Sequence, residues 1–166
     1  MHVDSTDTID PAVITLLEDL LRGGRALSGL PRDSAEALYA LAHQLYRQAR
    51  YVEASRLFAF LVTLNAFDRR FHMGLGASKQ MQRHHREALH HYAVASLLDT
   101  ADPMPLLHSA ECFLSIGQRT EARERLRLAL GQAEDGSRHA HAAPRVRALI
   151  ELLDSAAARP SGREAS

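Results

Sequence analysis

Three groups of residues in this 166-residue chain carry chemically capable side chains, and in each the spacing fails the chemistry. The run from Gly74 to Lys79, GLGASK, resembles part of a phosphate-binding loop. Such a loop needs Gly-Lys-Ser/Thr between a strand and a helix, so that free backbone N–H groups point at phosphate. Here Lys79 follows Ser78, and the stretch falls inside a predicted helix, whose N–H groups are already bonded. Gly74 and Gly76 are therefore expected to permit close helix packing. Among the ten histidines, His84, His85, His90 and His91 stand one, five, six or seven positions apart. Two imidazoles on one helical face require a spacing of four. His139 and His141 have no carboxylate or thiolate companion nearby, so neither a metal nor a cofactor is expected. Cys112, the single cysteine, sits between Glu111 and Phe113 and reads as a small core residue. Glu111 and Asp99 lack a second carboxylate that the pattern would bring close. No catalytic residue is expected, and an enzyme is the weakest hypothesis.

The elements that would position these residues recur with a fixed period. Ala88 lies 34 residues after Ala54 and 34 before Ala122. At the same offsets Tyr92 matches Phe58 and Leu126, Ala95 matches Leu61 and Ala129, and Gly76 matches Ala42 and Ala110. A 34-residue helix–turn–helix unit with small residues at fixed places is the tetratricopeptide (TPR) pattern. The expected class is all-α: three tandem repeats at 35–68, 69–102 and 103–136 in a right-handed α-solenoid, with turns near Arg50, His84 and Gln118. Gly117 ends a helix where the pattern favours glycine, whereas Ala49 and Arg83 hold that place in the other repeats. A slightly different turn is expected at Arg83. No alternating β-branched run suggests a strand.

Composition agrees with a soluble globular domain, at 46% apolar and 24% charged residues. Twenty basic residues balance twenty acidic ones, which argues against nucleic acid, whose binding rests on phosphate neutralisation. The balance also leaves little repulsion between copies. One cysteine suits a reducing compartment. No stretch approaches the ~18 consecutive apolar residues of a membrane span, and MHVDSTDTID is unlike a signal peptide. A cytoplasmic protein is expected.

Both ends lie outside the repeats. Residues 1–9 read as disordered. Asp10-Pro11 then starts a short helix that Gly23-Gly24 stops. Its apolar residues Val13, Leu16, Leu17 and Leu20 either pack on the first repeat or form a dimer contact. Asp33 with Glu36 resembles an N-cap opening the first repeat. After Gly136 the stretch SRHAHAAP reads as a linker. A capping helix over 144–154 follows, with Val146, Leu149, Ile150 and Leu153 on one face, and residues 155–166 read as a flexible tail.

What remains is a surface. In a TPR array the second, fifth, ninth, twelfth and thirteenth residues of each repeat line a concave face. These are Glu36, Tyr39, His43, Tyr46 and Arg47, then Arg70, Met73, Ala77, Gln80 and Met81, then Met104, Leu107, Glu111, Leu114 and Ser115. The expected peptide groove comprises Tyr39, His43, Tyr46, Met73, Ala77, Met81, Met104, Leu107 and Leu114. A groove for a highly charged tail would be ringed by Lys and Arg, but this one is apolar in the middle. Methionine suits a pocket that adapts to its ligand. Some of these residues, Met81 and Met104 especially, have packing between repeats as the alternative reading.

The run from Leu57 to Cys112 resembles the class II chaperones of type III secretion systems, the translocator chaperones of the SycD/LcrH/CesD type. The likeness is carried by DRRFHMGLGASKQ (Asp68–Gln80), SLLDTADPMPLLHSAEC (Ser96–Cys112) and IGQRTEAR (Ile116–Arg123). LYALAHQLYRQARYVEAS (Leu38–Ser55) fits the family's first repeat. The resemblance covers residues 35–135, with departures at the His/Arg-rich turn 83–86 and at RHAHAAPR. It implies a small cytoplasmic chaperone that holds hydrophobic translocator proteins before secretion. Such a chaperone takes an extended N-terminal client segment, of the proline-x-leucine-x-x-proline kind, in its concave groove. It further implies a homodimer through the N-terminal helical region. The competing reading is a generic TPR scaffold or assembly factor of a secretion apparatus.

Overall fold

The computed structural model describes residues 32–134 and 139–158. Among these the regular structure is entirely helical: α1 (Arg32–Arg47), α2 (Tyr51–Leu64), α3 (Arg69–Met81), α4 (His85–Leu98), α5 (Met104–Ser115), α6 (Arg119–Glu134) and α7 (Ala143–Ala158). A 3-10 turn over Ala140–Ala142 leads into α7. The helices pair as α1/α2, α3/α4 and α5/α6, the pairs stack in order, and α7 packs on α6. This is the TPR solenoid. The expected N-terminal helix with Val13, Leu16, Leu17 and Leu20 lies outside the described residues.

Small residues set the spacing of the stack. Ala42, Ala54, Ala88, Ala95, Ala110, Ala122 and Ala129 are all fully buried, as are Phe58, Leu61, Tyr92 and Leu126 at the large positions of the same pattern. Each large side chain so buried contributes about 1.5–3 kcal/mol. The two glycines of GLGASK serve this packing. A Cβ on Gly74 would lie 2.3 Å from the Phe58 ring, and one on Gly76 would lie 2.8 Å from the Tyr92 ring. Aromatic faces of α2 and α4 thus press directly on the α3 backbone.

The three turns within the pairs are alike. Ala49, Arg83 and Gly117 adopt left-handed φ of 59°, 65° and 80°. In each turn the N–H of that residue donates to the carbonyl three residues back, and the next N–H donates to the carbonyl five back. The first pair is Ala49 to Tyr46 and Arg50 to Leu45, at 3.0 and 2.9 Å; the second is Arg83 to Gln80 and His84 to Lys79, both 2.9 Å. Gly117 to Leu114 and Gln118 to Phe113 complete the set at 3.1 and 2.9 Å. This double closure is the Schellman motif. The different turn expected at Arg83 is not found, because the two hydrogen bonds and the packing of the helices on either side outweigh the cost of a side chain at positive φ.

The links between pairs also repeat. Asp68 Oδ1 accepts from the Arg70 N–H at 2.9 Å, and Asp102 Oδ1 accepts from the Met104 N–H at 2.9 Å. Asp102 is 2% exposed and is neutralised by Arg69, tying the start of α3 to the start of α5. Other boundaries differ from expectation. α1 begins at Arg32, so Asp33 lies within the helix. The stretch read as a linker is packed where it is described: Ala142 and Ala143 are buried against Ala133, with Met104 and Leu130 beside them. Side chains this small let the 3-10 turn sit directly on α6. The helix also runs through Ser155–Ala158, which the reading placed in the tail, as an alanine run favours.

Candidate peptide-binding groove

Helices α1, α3, α5 and α7 are the first helices of successive units, and the inner pairs α1/α3 and α3/α5 touch directly. The positions expected to face the groove are joined across these helices by polar contacts. Arg70 on α3 bonds both carboxylate oxygens of Glu36 on α1, at 3.0 and 2.7 Å, and also grips Asp68. Its guanidinium lies 4.8 Å from the centre of the Tyr39 ring. The Arg70 hydrogen bond holds the Asp68 carboxyl below its usual range. Tyr39 also shares a 2.9 Å hydrogen bond with His43 Nε2. Burial raises the Tyr39 hydroxyl and lowers His43, the latter helped by Arg47. His43 thus stays neutral at neutral pH and can accept as well as donate. Tyr46 packs edge-on to Tyr51 at 5.3 Å.

A second polar cluster forms the floor between α3, α5 and α7. Tyr92 Oη donates to Gln80 Oε1 at 2.7 Å, and Gln80 Nε2 donates to Glu111 Oε2 at 3.2 Å. His108 Nδ1 stands 3.1 Å from the same oxygen, and Arg145 donates to Glu111 Oε1 at 2.5 Å. The His108 ring stacks on Tyr92 at 5.4 Å. Burial pushes the Glu111 carboxyl up, but the hydrogen bonds from His108 and Gln80 and the Arg145 charge outweigh it and hold it low. The floor is therefore an ionised carboxylate with its bonds already made, and it gives the groove rigid, pre-oriented walls. The side chains bonded to the Glu111 carboxylate are all donors: Gln80, His108 and Arg145. Cys112 is buried, and burial pushes its thiol up to about 12.

The structure brings Tyr39, Tyr46, Met73 and Ala77 to partly open positions, and leaves His43 and Met81 exposed, Met81 at 47%. Leu114 is half-buried beside the last core cluster. Met104 rests against both that cluster and the one around Ala142, so much of its side chain is spent on packing. Leu107 is a correction: it is 0% exposed, packed in one cluster with Ala110, Ala122, Leu126 and Val146. The apolar face of α7 closes that end of the array and encloses it. Two contributors escaped the sequence reading. Arg145 lies 34 residues after Glu111, so the period continues past residue 136 and α7 is the first helix of a fourth, incomplete unit. His108 gave no such signal, because its role depends on stacking against Tyr92.

Helix pairs stacked in order, with Tyr39, Tyr46, Met73 and Ala77 partly open along the first helices, define a TPR solenoid. No family model matches the chain. Low calcium response locus protein H of Yersinia pestis is 31% identical over 156 residues, covering 92% of each chain. Pseudomonas aeruginosa PcrH, solved in complex with the chaperone binding region of PopD, superposes with a TM-score of 0.76 at 31% identity, covering 80% of this chain and 99% of that one. The type III secretion translocator chaperone SycD of Yersinia enterocolitica gives 0.74 at 30% identity, covering 80% and 92%. The chain belongs to the translocator chaperones of type III secretion systems.

Proposed function

We propose that this protein is a cytoplasmic secretion chaperone that holds an extended segment of hydrophobic translocator proteins in the face formed by α1, α3, α5 and α7. It keeps those clients soluble, apart and competent for secretion. One observation carries the reading: Tyr39, Tyr46, Met73 and Ala77 lie partly open on the face whose helices Arg70, Gln80, Glu111 and Arg145 tie together. The relative PcrH, at 31% identity, was solved with the chaperone binding region of its partner PopD. Seating three apolar anchors at about 1.5–3 kcal/mol each, less the ordering of an extended peptide, gives an affinity on the order of micromolar. Residues 35–136 form the binding unit and α7 caps it. Val13, Leu16, Leu17 and Leu20 supply a homodimer contact. Among the described residues no helix is long and apolar enough to cross a membrane, which accords with a cytoplasmic chaperone.

The test is co-expression with candidate translocators. Tyr39→Ala combined with Met73→Ala leaves helical circular dichroism intact and abolishes co-purification of the client. Retained binding by the double variant moves the site off this face.

A further inference from the structure

The second helices of the units, α2, α4 and α6, form the opposite face, and between α4 and α6 there is a second groove. Leu89, Ala93 and Leu97 of α4 wall it, Leu106 and Phe113 of α5 form its floor, and its volume is about 480 Å³. Leu97 is 79% exposed. The repeat does not require a leucine there, because the positions 34 residues either side are Thr63 and Gly131. One unit earlier the floor carries polar residues, His72 in the place of Leu106 and Lys79 in that of Phe113, while Val52, Val62 and Leu75 stand for Arg86, Ser96 and Ser109. There His72 pairs with His91, and Lys79 pairs with Glu87. The combination of Leu97, Leu106 and Phe113 is therefore particular to this cleft and not required by the architecture.

The rim is basic. Arg86, His90 and Arg125 line the groove with no Asp or Glu among the lining residues. The chain as a whole is balanced, so the bias is local. Arg125 lies over the Phe113 ring at 5.9 Å, and among the described residues neither Arg86 nor Arg125 has a carboxylate partner. Polar groups inside the groove are few, and the Ser109 hydroxyl is already donated to the Pro105 carbonyl. An extended peptide would find few partners for its backbone along the apolar floor, whereas a helix satisfies its own.

We infer that the α4–α6 groove is a second docking surface, for an acidic amphipathic helix of a partner protein that seats two large apolar side chains one turn apart between the two arginines. It lies on the face away from the client groove, so both can be filled at once.

The test uses the full chain and fluorescence anisotropy with a labelled helical peptide of Ala, Leu and Glu, its leucines at i and i+4 flanked by glutamates. A twin with Lys for Glu is the control. The expected result is that the Glu peptide binds at least about tenfold more tightly than the Lys peptide, with a preference that shrinks as salt rises. Arg86→Glu with Arg125→Glu reverses the preference, a gain that misfolding cannot produce. Leu97→Asp weakens both peptides. Equal binding of the two peptides, or an unchanged preference in the charge-reversed variant, overturns the proposal. So does self-association in light scattering that Leu97→Asp removes, since the occupant would then be a second copy.

Discussion

The middle unit carries a pair of histidines where the first unit has two leucines, and this makes its stability depend on pH. His72 stands at the place of Leu38 and Leu106, and His91 at that of Leu57 in the first unit. His72 Nε2 is 3.0 Å from the Ala66 carbonyl, which can only accept, so that nitrogen carries the proton. In neutral His72, Nδ1 is then bare and accepts from His91 Nδ1, 3.3 Å away. The charged or titratable groups around His91 are His90 and Glu87 of α4 and His72 and Lys79 of α3. Burial first, then the charges of His90, His72 and Lys79, lower His91 from 6.5 to about 4. The unfolded chain therefore binds more protons between those values, so stability rises with pH. The contribution is complete above about pH 6.5 and is lost as pH falls through about 4. At about 1.4 kcal/mol per pH unit, and allowing about half for the water that reaches a partly buried ring, the loss is about 1–2 kcal/mol. For a chain of this size that is a fall in Tm of about 3–6 °C. The assay compares thermal unfolding at pH 7 and pH 4.5 for the natural chain and for His72→Leu with His91→Leu. Groups elsewhere cancel in the difference, and the natural chain is expected to lose the additional few degrees. Parallel pH profiles for the two proteins would refute the argument.

Other predictions follow from packing and turns. Gly74→Ala drives a methyl into the Phe58 ring and is expected to destabilise by about 1–3 kcal/mol in urea unfolding, despite the better helix propensity of alanine; Phe58→Leu in the same chain restores part of the loss. Ala49→Gly and Arg83→Gly relieve side chains held at positive φ and are each expected to stabilise by about 0.5–1 kcal/mol, whereas Gly117→Ala destabilises by about 1 kcal/mol. Ala88→Arg forces a charge between α3 and α4 and abolishes the helical circular dichroism of the array; a soluble, fully helical variant contradicts the repeat register.

The repeat and its buried positions were legible in the amino-acid sequence, because the burial of a small residue between helices depends only on its place in a 34-residue unit. The turn positions were legible for the same reason. The likeness of all three turns was not legible, since nothing in Ala49 or Arg83 announces a left-handed residue. It follows from hydrogen bonds closed by the helices on either side. The positions of Tyr39, Tyr46, Met73 and Ala77 on the first helices, partly open, follow from the period alone. Leu107 shares that period, yet it is enclosed because α5, α6 and α7 share one apolar cluster, a contact between segments distant in the chain. The Glu111 floor and the His72–His91 pair likewise depend on how closely α3 approaches α4 and α5, and on Arg145 of α7 reaching Glu111. Local spacing decides which face a side chain takes. Only the approach of neighbouring helices decides whether that face is open, bonded or closed.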